Sequence, residues 1–249
     1  LAKPTTAAVA ISPSNAQLIA QTIKSSNPSI PVMTVDADLS KDDAALRKTY
    51  LGTDNYLLGQ KLGEYIKQAL PKGGTICTIE GNPAADNILR RAQGMRDGLT
   101  GQKGLTALTG QGGWTEVPGC PVFINDDGVK GVQAMTDILA ANPNLSAFGI
   151  MGGWPLFGAP QPYTDLVTPL KDKLASGAFV IAAADTIDPE PKLLKDGLVN
   201  ILVGQRPFEM GNKAPDAMSD LIAGKKLDDN IFTGVDVCTK DTVDTCIAK

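Results

Sequence analysis

The sequence predicts an α/β protein in which parallel β-sheets are flanked by helices. Three observations carry the prediction: short, near-continuous apolar runs recur along the chain, segments of helical period fall between them, and the runs end in small polar clusters. Strands buried on both faces read as unbroken apolar runs, as those of parallel sheets do. Their alternation with helices is the pattern of βαβ units.

The runs are AAVAI (7–11), PVMTV (31–35), TICTI (75–79), CPVFI (120–124), LSAFGIM (145–151), FVIAAA (179–184) and VNILV (199–203). The first helical segment covers 16–25. The second, 55–69, places Leu58, Leu62, Tyr65, Ile66 and Ala69 at steps of three and four, the stripe of an amphipathic helix. Thr53 and Asp54, just ahead of it, are residue types that satisfy the orphan N–H groups of a helix start. Asp54 is read as the cap, which leaves Asn55 as a surplus polar residue. Segments 87–99 and 129–141 follow, and 209–223 puts Met210, Ala214, Ala217, Met218 and Leu221 on one face.

Composition narrows the function. The chain has 249 residues, enough for one large domain or two lobes, with 43% hydrophobic and 20% charged residues. The net charge is −4 and the 23 basic residues are scattered, so nothing offers a concentrated phosphate footprint and nucleic acid is not an expected partner. No run of about 18 apolar residues is present, so no membrane insertion is expected. The opening LAKPTTAAVAISPSN has no signal-peptide pattern, which suits a cytosolic or an already processed chain.

There is no histidine, which excludes Ser-His-Asp and Cys-His catalysis and His-containing zinc sites. Nor is there a Cys-x-x-Cys, a G-x-G-x-x-G after a strand or a P-loop, so neither metal nor cofactor is expected. The four cysteines favour disulfides in an oxidising compartment over free buried thiols. Cys238 with Cys246 would close a short loop, and Cys77 with Cys120 would tie a strand start to the long stretch GQGGWTEVPGCPVFINDD.

The strand ends carry the chemistry. They are Ser12-Pro13-Ser14-Asn15, Asp36, Glu80-Gly81-Asn82, Gly152-Gly153-Trp154, Asp185 and Gly204-Gln205-Arg206. Ligands of open α/β sheets bind outside the carboxyl ends of the strands. Any one of these residues alone is also a common turn residue; six in one register point to a site.

The ordered set AISPSNA, IPVMTVDA, GTDNYLLGQKLGEYI, GGTICTIEGNP, RRAQGMRDGL and AAADTIDPEPKLLKDGLVNILVGQRPFEMGNKA resembles the ribose-type periplasmic sugar-binding proteins, the solute receptors of bacterial ABC importers. The likeness runs from about residue 7 to about residue 238. It implies two α/β lobes closing on a sugar by a hinge motion. The first lobe is expected over 1–53 and 206–231 and the second over 54–205 and 232–249. The first would be incomplete, because the chain starts where the family's third strand should be.

Carried over by position, the resemblance makes Asp36, Asn55, Arg91, Asp185 and Gln205 ligand-binding residues, with Ser12 standing in for part of an Asn-Pro motif. Trp154, where the family has an amide nearby, would stack on a sugar face or pack in the lobe, and Trp114 is the poorer candidate for that role. Read without the resemblance, Arg91 could equally be a solvated helix residue or pair with Asp86 or Asp97.

The residue types suit sugar hydroxyls, which both donate and accept: carboxylates accept, a guanidinium donates and amides do both. The expected protein is therefore a non-enzymatic periplasmic or extracytoplasmic receptor for a monosaccharide or polyol. Its partner would be the membrane permease of an ABC importer, and it would be monomeric at full length. Alternatives are the ligand-sensing core of a sugar-responsive repressor, or of a membrane receptor.

Overall fold

The apolar runs become strands and the striped segments become helices, in a computed structural model that describes residues 5–247. In chain order the elements begin with β1 (Val9–Ile11), α1 (Ala16–Ser26), β2 (Val32–Val35), β3 (Tyr50–Thr53), α2 (Asn55–Ala69) and β4 (Gly74–Glu80). They continue with α3 (Asp86–Thr100), β5 (Trp114–Glu116), β6 (Val122–Phe123), α4 (Gly128–Ala141) and β7 (Ala147–Ile150). Then come α5 (Trp154–Gly158), α6 (Pro160–Val167), α7 (Lys171–Ser176), β8 (Val180–Ala184) and α8 (Glu190–Lys195). The last are β9 (Ile201–Gly204), α9 (Pro207–Ile222), β10 (Asn230–Thr233) and β11 (Asp236–Thr239).

The chain divides into two compact units. The smaller holds residues up to Asp54, Ala84–Asn87 and Arg206–Gly234, and the larger holds Asn55–Pro83, Ile88–Gln205 and the chain from Val235 onward. Three places fall differently from the sequence expectation, the first being Asp54, which clusters with the smaller unit. Residues 84–87 cluster with the smaller unit, where the Ala84 carbonyl accepts the Ala16 N–H at 3.0 Å. Residues 232–234 join it as well, because β10 pairs with β3 through Thr233.

In the smaller unit the sheet order is β1-β2-β3-β10, with every pair parallel. Asn15 starts α1 by accepting the Leu18 N–H at 2.9 Å, and Asn27 ends it in the left-handed region at φ 39°. Ala20 and Ile23 of α1 pack on Val32 and Leu39, while Ala217 and Leu221 of α9 pack on Met33 and Leu51. The alternating residues of β2 thus bury both faces. Arg47 fixes the strand that arrives from far along the chain. Its guanidinium holds Asp38 through Nε and Nη2 at 2.9 and 2.7 Å, and Asp229, next to β10, through Nη1 at 2.7 Å.

In the larger unit the order is β11-β9-β8-β7-β4-β5, with β6 also pairing β4. All pairs are parallel except β11 with β9, an antiparallel edge on an otherwise parallel sheet. One core runs through it, with Ile79, Phe148, Ile150, Ile181, Ala183 and Leu202 covered by Met135, Leu156, Tyr163 and Leu194. Trp114 is buried in β5, among the largest fully buried side chains.

Both expected disulfides form, Cys77–Cys120 and Cys238–Cys246, with Cα atoms 5.3 and 5.4 Å apart. Cys77 lies inside β4 rather than at its start. The bonds close loops of 43 and 8 residues, for which chain entropy gives about 4 and about 2.5 kcal/mol of stabilisation. Urea unfolding should therefore show a larger loss for Cys77→Ser/Cys120→Ser than for Cys238→Ser/Cys246→Ser. The reverse order would contradict the loop-closure account.

Candidate functional site

In the larger unit, Asp185 and Gln205 stand at the carboxyl ends of β8 and β9, and Asn55 and Arg91 come from helices α2 and α3. Asn55 is the first residue of α2 and is buried, so it is not merely a polar residue beside a cap. Its Oδ1 accepts the Nε–H of Arg91 at 2.8 Å. Arg91, 2% exposed, also donates from Nη1 to the Met151 carbonyl at 2.8 Å, just past β7. The same Nη1 lies 3.9 Å from Oδ1 of Asp185, at the end of β8. Gln205, following β9, donates from Nε2 to that Asp185 oxygen at 2.8 Å, and the Gly153 N–H donates to the other at 3.1 Å.

Asn55, Arg91, Asp185 and Gln205 thus form one hydrogen-bonded and ion-paired chain. The pairing of Arg91 with Asp97 is not found. Asp97 instead accepts from Tyr56, Gln93 and the backbone of the loop after α3.

Helix packing explains how Arg91 comes to Asn55. A Cβ on Gly59 of α2 would lie 1.9 Å from the Arg91 carbonyl oxygen, and one on Gly94 of α3 would lie 2.0 Å from that of Tyr56. The two helices touch backbone to backbone there, which is possible only without side chains.

Trp154 begins α5 and is half-buried. Its six-membered ring lies over Gly81 and Gly152, where an added Cβ would come within 2.5 and 2.3 Å of ring atoms. The ring thus packs against the strand ends beside Gly153, and its half-exposed state leaves it surface to offer a ligand.

In the smaller unit, Ser12 follows β1 and Asp36 follows β2, and the Ser12 hydroxyl donates to Asp36 Oδ2 at 3.0 Å. Asp36 and Asp185 share a backbone feature. Both are non-glycine residues in the left-handed region, at φ 66° and 79°, and both extend a strand by donating an N–H to the neighbouring strand, to Leu51 and Val203 respectively. Such a conformation costs on the order of 1 kcal/mol, and an Asp tolerates it better than most residues.

Two residues at the larger unit's strand ends escape the sequence pattern. Asp126, after β6, is left-handed at φ 61°, accepts the Asn82 N–H and feels the Arg91 charge. Although the residue as a whole is exposed, partial desolvation of its carboxyl holds it above the usual carboxylate range, against the pull of those two groups. The signal was present: Asn125-Asp126-Asp127 is a polar cluster after an apolar run like the other six. Glu190 is the second. It is fully buried at the start of α8, and burial followed by the neighbouring Asp185 charge raises its carboxyl well above the ordinary range. Nothing in the sequence marks it as buried.

The saturation of two buried arginines separates their roles. Arg47 has all three of its nitrogens hydrogen-bonded, as a structural guanidinium does. Arg91 uses Nε and Nη1, and its Nη2 has no hydrogen bond among the described residues. Asp185 likewise offers more acceptor directions than its partners fill. Among the described residues no group of three His, Cys, Asp or Glu could hold a metal, and no helix is long and apolar enough to cross a membrane. A separate cavity of about 450 Å³ lies at the other end of the same sheet, between Tyr65, Lys171, Asn200 and Lys240.

A family model described as a periplasmic binding protein domain matches residues 2–226. The chain belongs to the periplasmic binding protein domain family. This is a family of binding proteins, not enzymes. The chain is 23% identical to the ribose import binding protein RbsB of Salmonella typhimurium over 87% of its own length, and 25% identical to that of Bacillus subtilis over 90%. It spans 66% of the length of each.

A periplasmic binding protein fold also appears among solved structures. An ABC transporter solute-binding protein from Burkholderia graminis in complex with D-arabinose is 26% identical, with a TM-score of 0.78 over 97% of this chain and 78% of that one. One from Agrobacterium vitis, bound with α-D-tagatopyranose, shares the fold at 20% identity, with a TM-score of 0.79 and the same coverage.

The backbone contact of α2 and α3 yields a direct expectation. Gly59→Ala or Gly94→Ala forces the helices apart, because the clashing atoms are backbone and no rotamer relieves them. Each should destabilise the protein by about 1–3 kcal/mol in urea unfolding. A loss within error of zero would show that the helices do not need this approach.

Proposed function

We propose that the chain is the solute-binding receptor of a bacterial sugar ABC importer, working outside the cytoplasm and delivering a monosaccharide or polyol to a membrane permease. The observation that carries the reading is the unsaturated pair Arg91 and Asp185, held by Asn55, Gln205 and the Gly153 N–H, with the Trp154 ring beside it. Sugar hydroxyls complete the donor set of Arg91 Nη2 and the remaining lone pairs of Asp185, while Trp154 offers an apolar face. Asp126 adds a second acceptor near Arg91.

The resemblance implies capture by hinge closure, and it makes Ser12 and Asp36, which are hydrogen-bonded to each other in the smaller unit, further ligand-binding residues. The 26% identical solute-binding protein in complex with D-arabinose supports the ligand class. The two disulfides weigh against a repressor core in a reducing cytosol.

A thermal-shift panel of pentoses, hexoses and polyols, including D-ribose, D-arabinose, D-tagatose and glycerol, tests the reading. At least one should raise the melting temperature, since a ligand at 100 times its Kd adds about 2.7 kcal/mol to the folded state. Asp185→Ala should weaken that ligand roughly thirty- to a thousandfold, for a loss of about 2–4 kcal/mol. No shift with any member at millimolar concentration, or full affinity in the variant, would overturn the assignment.

A further inference from the structure

Glu190 has no place in the hydrogen-bonded chain above, yet it lies directly behind it. Its Oε2 accepts the Ile187 N–H at 2.6 Å, and its Oε1 has no hydrogen-bond partner among the described residues although it is fully buried. A Cβ built on Gly153 would lie 1.6 Å from Oε1 and 3.1 Å from the Ala184 carbonyl oxygen. Acid, glycine and carbonyl therefore meet at one point.

Among the described residues, no cation compensates Glu190. Helix α8 packs on α5 and β9, which have no charged residue, and the charge that acts on Glu190 is that of Asp185. Tyr163 of α6 faces it as a buried phenol that donates to the Leu198 carbonyl. On α8 itself, Lys192 and Lys195 point to Asp196 and Asp244. Arg91 reaches only as far as Asp185. An ionised Oε1 would thus face acceptors and a second carboxylate with nothing to balance it, which is costly in a buried position.

We propose that Glu190 is a positioning residue for the sugar site: as a neutral acid it holds Gly153 where its N–H meets Asp185, and ionisation releases that contact. The proposal rests on the sugar-site reading for its consequence, since Asp185 then loses one of the donors that orient it and affinity falls as pH rises. The local linkage itself needs no ligand. Gly153 lies against Oε1 and donates its N–H to Asp185, so it links the protonation state of Glu190 to the orientation of Asp185.

Stability follows the same proton. The native chain holds it at pH values where the unfolded chain has released it. The contribution of Glu190 is fully present below the ordinary carboxylate range and is lost as pH rises through its raised folded value.

The test uses the 249-residue chain without sugar. In ¹H–¹⁵N spectra from pH 5 to 10, the Gly153 amide should shift with a midpoint above the ordinary carboxylate range, and Glu190→Gln, an isostere of the neutral acid, should abolish that shift. Urea unfolding should show stability falling over the same interval in the parent chain and a flatter profile in Glu190→Gln. A Gly153 resonance that stays still across the range in the parent chain, or one that titrates unchanged in Glu190→Gln, overturns the proposal. Failure of every sugar to bind would remove the sugar reading while leaving this titration intact, so the two failures are distinguishable.

Discussion

The larger unit depends on neutralising one buried guanidinium. Arg91 is 2% exposed, and a charge removed from water must be matched by acceptors or it costs several kcal/mol. Its acceptors come from separate places: the start of α2, the end of β7 and the end of β8. Satisfying Arg91 therefore fixes where three carboxyl-end segments lie. The Gly59 and Gly94 contact is what lets the backbone of Arg91 come close enough to Asn55 for this to happen.

Other buried charges in the chain are spent on architecture. Arg47 ties β10 to β3, and Arg96 links Glu80 at the end of β4 to Glu116 at the end of β5, across the long stretch that follows α3. In the second network, burial raises the Glu80 carboxyl and the Arg96 charge opposes that rise. Arg91 differs in leaving hydrogen-bonding capacity unused next to a carboxylate that also has some to spare. Partial satisfaction at a strand end, beside a half-exposed tryptophan, is what a receptor for hydroxyl groups needs: order before binding and donors still available for it.

Much of this was legible in the sequence because parallel strands buried on both faces write themselves as apolar runs. β2, β4, β7, β8 and β9 were read that way, and α2 and α9 by their stripes. The elements that were not read are those whose sequences lack such contrast. β3 is YLGT, β5 is WTE, and β10 begins with an exposed Asn230; each is a strand only because a neighbour pairs with it. The short helices α5 and α6 begin near prolines and carry no long stripe.

At the site, Asn55, Arg91, Asp185 and Gln205 were visible as residue types, but their mutual bonding was not, since Asn55 is 36 residues from Arg91 and Gln205 is 20 from Asp185, and the Arg91–Asp185 pair is further apart still. The roles of Gly59 and Gly94 are closed to sequence periodicity, because they concern approach between helices and not a face of either one. Glu190 sits in a segment that reads as an ordinary solvated helix start.

Amide hydrogen exchange with and without the sugar that stabilises the chain most tests the central claim directly, that the carboxyl ends of the larger unit's strands grip the ligand. Protection should concentrate in peptides covering 124–127, 151–156 and 184–187, which hold Asp126, Trp154 and Asp185, and should be absent around Gly177 and Asn200 at the opposite end of the sheet. Protection confined to that opposite end, with the Arg91 and Asp185 segments unchanged, would contradict the account.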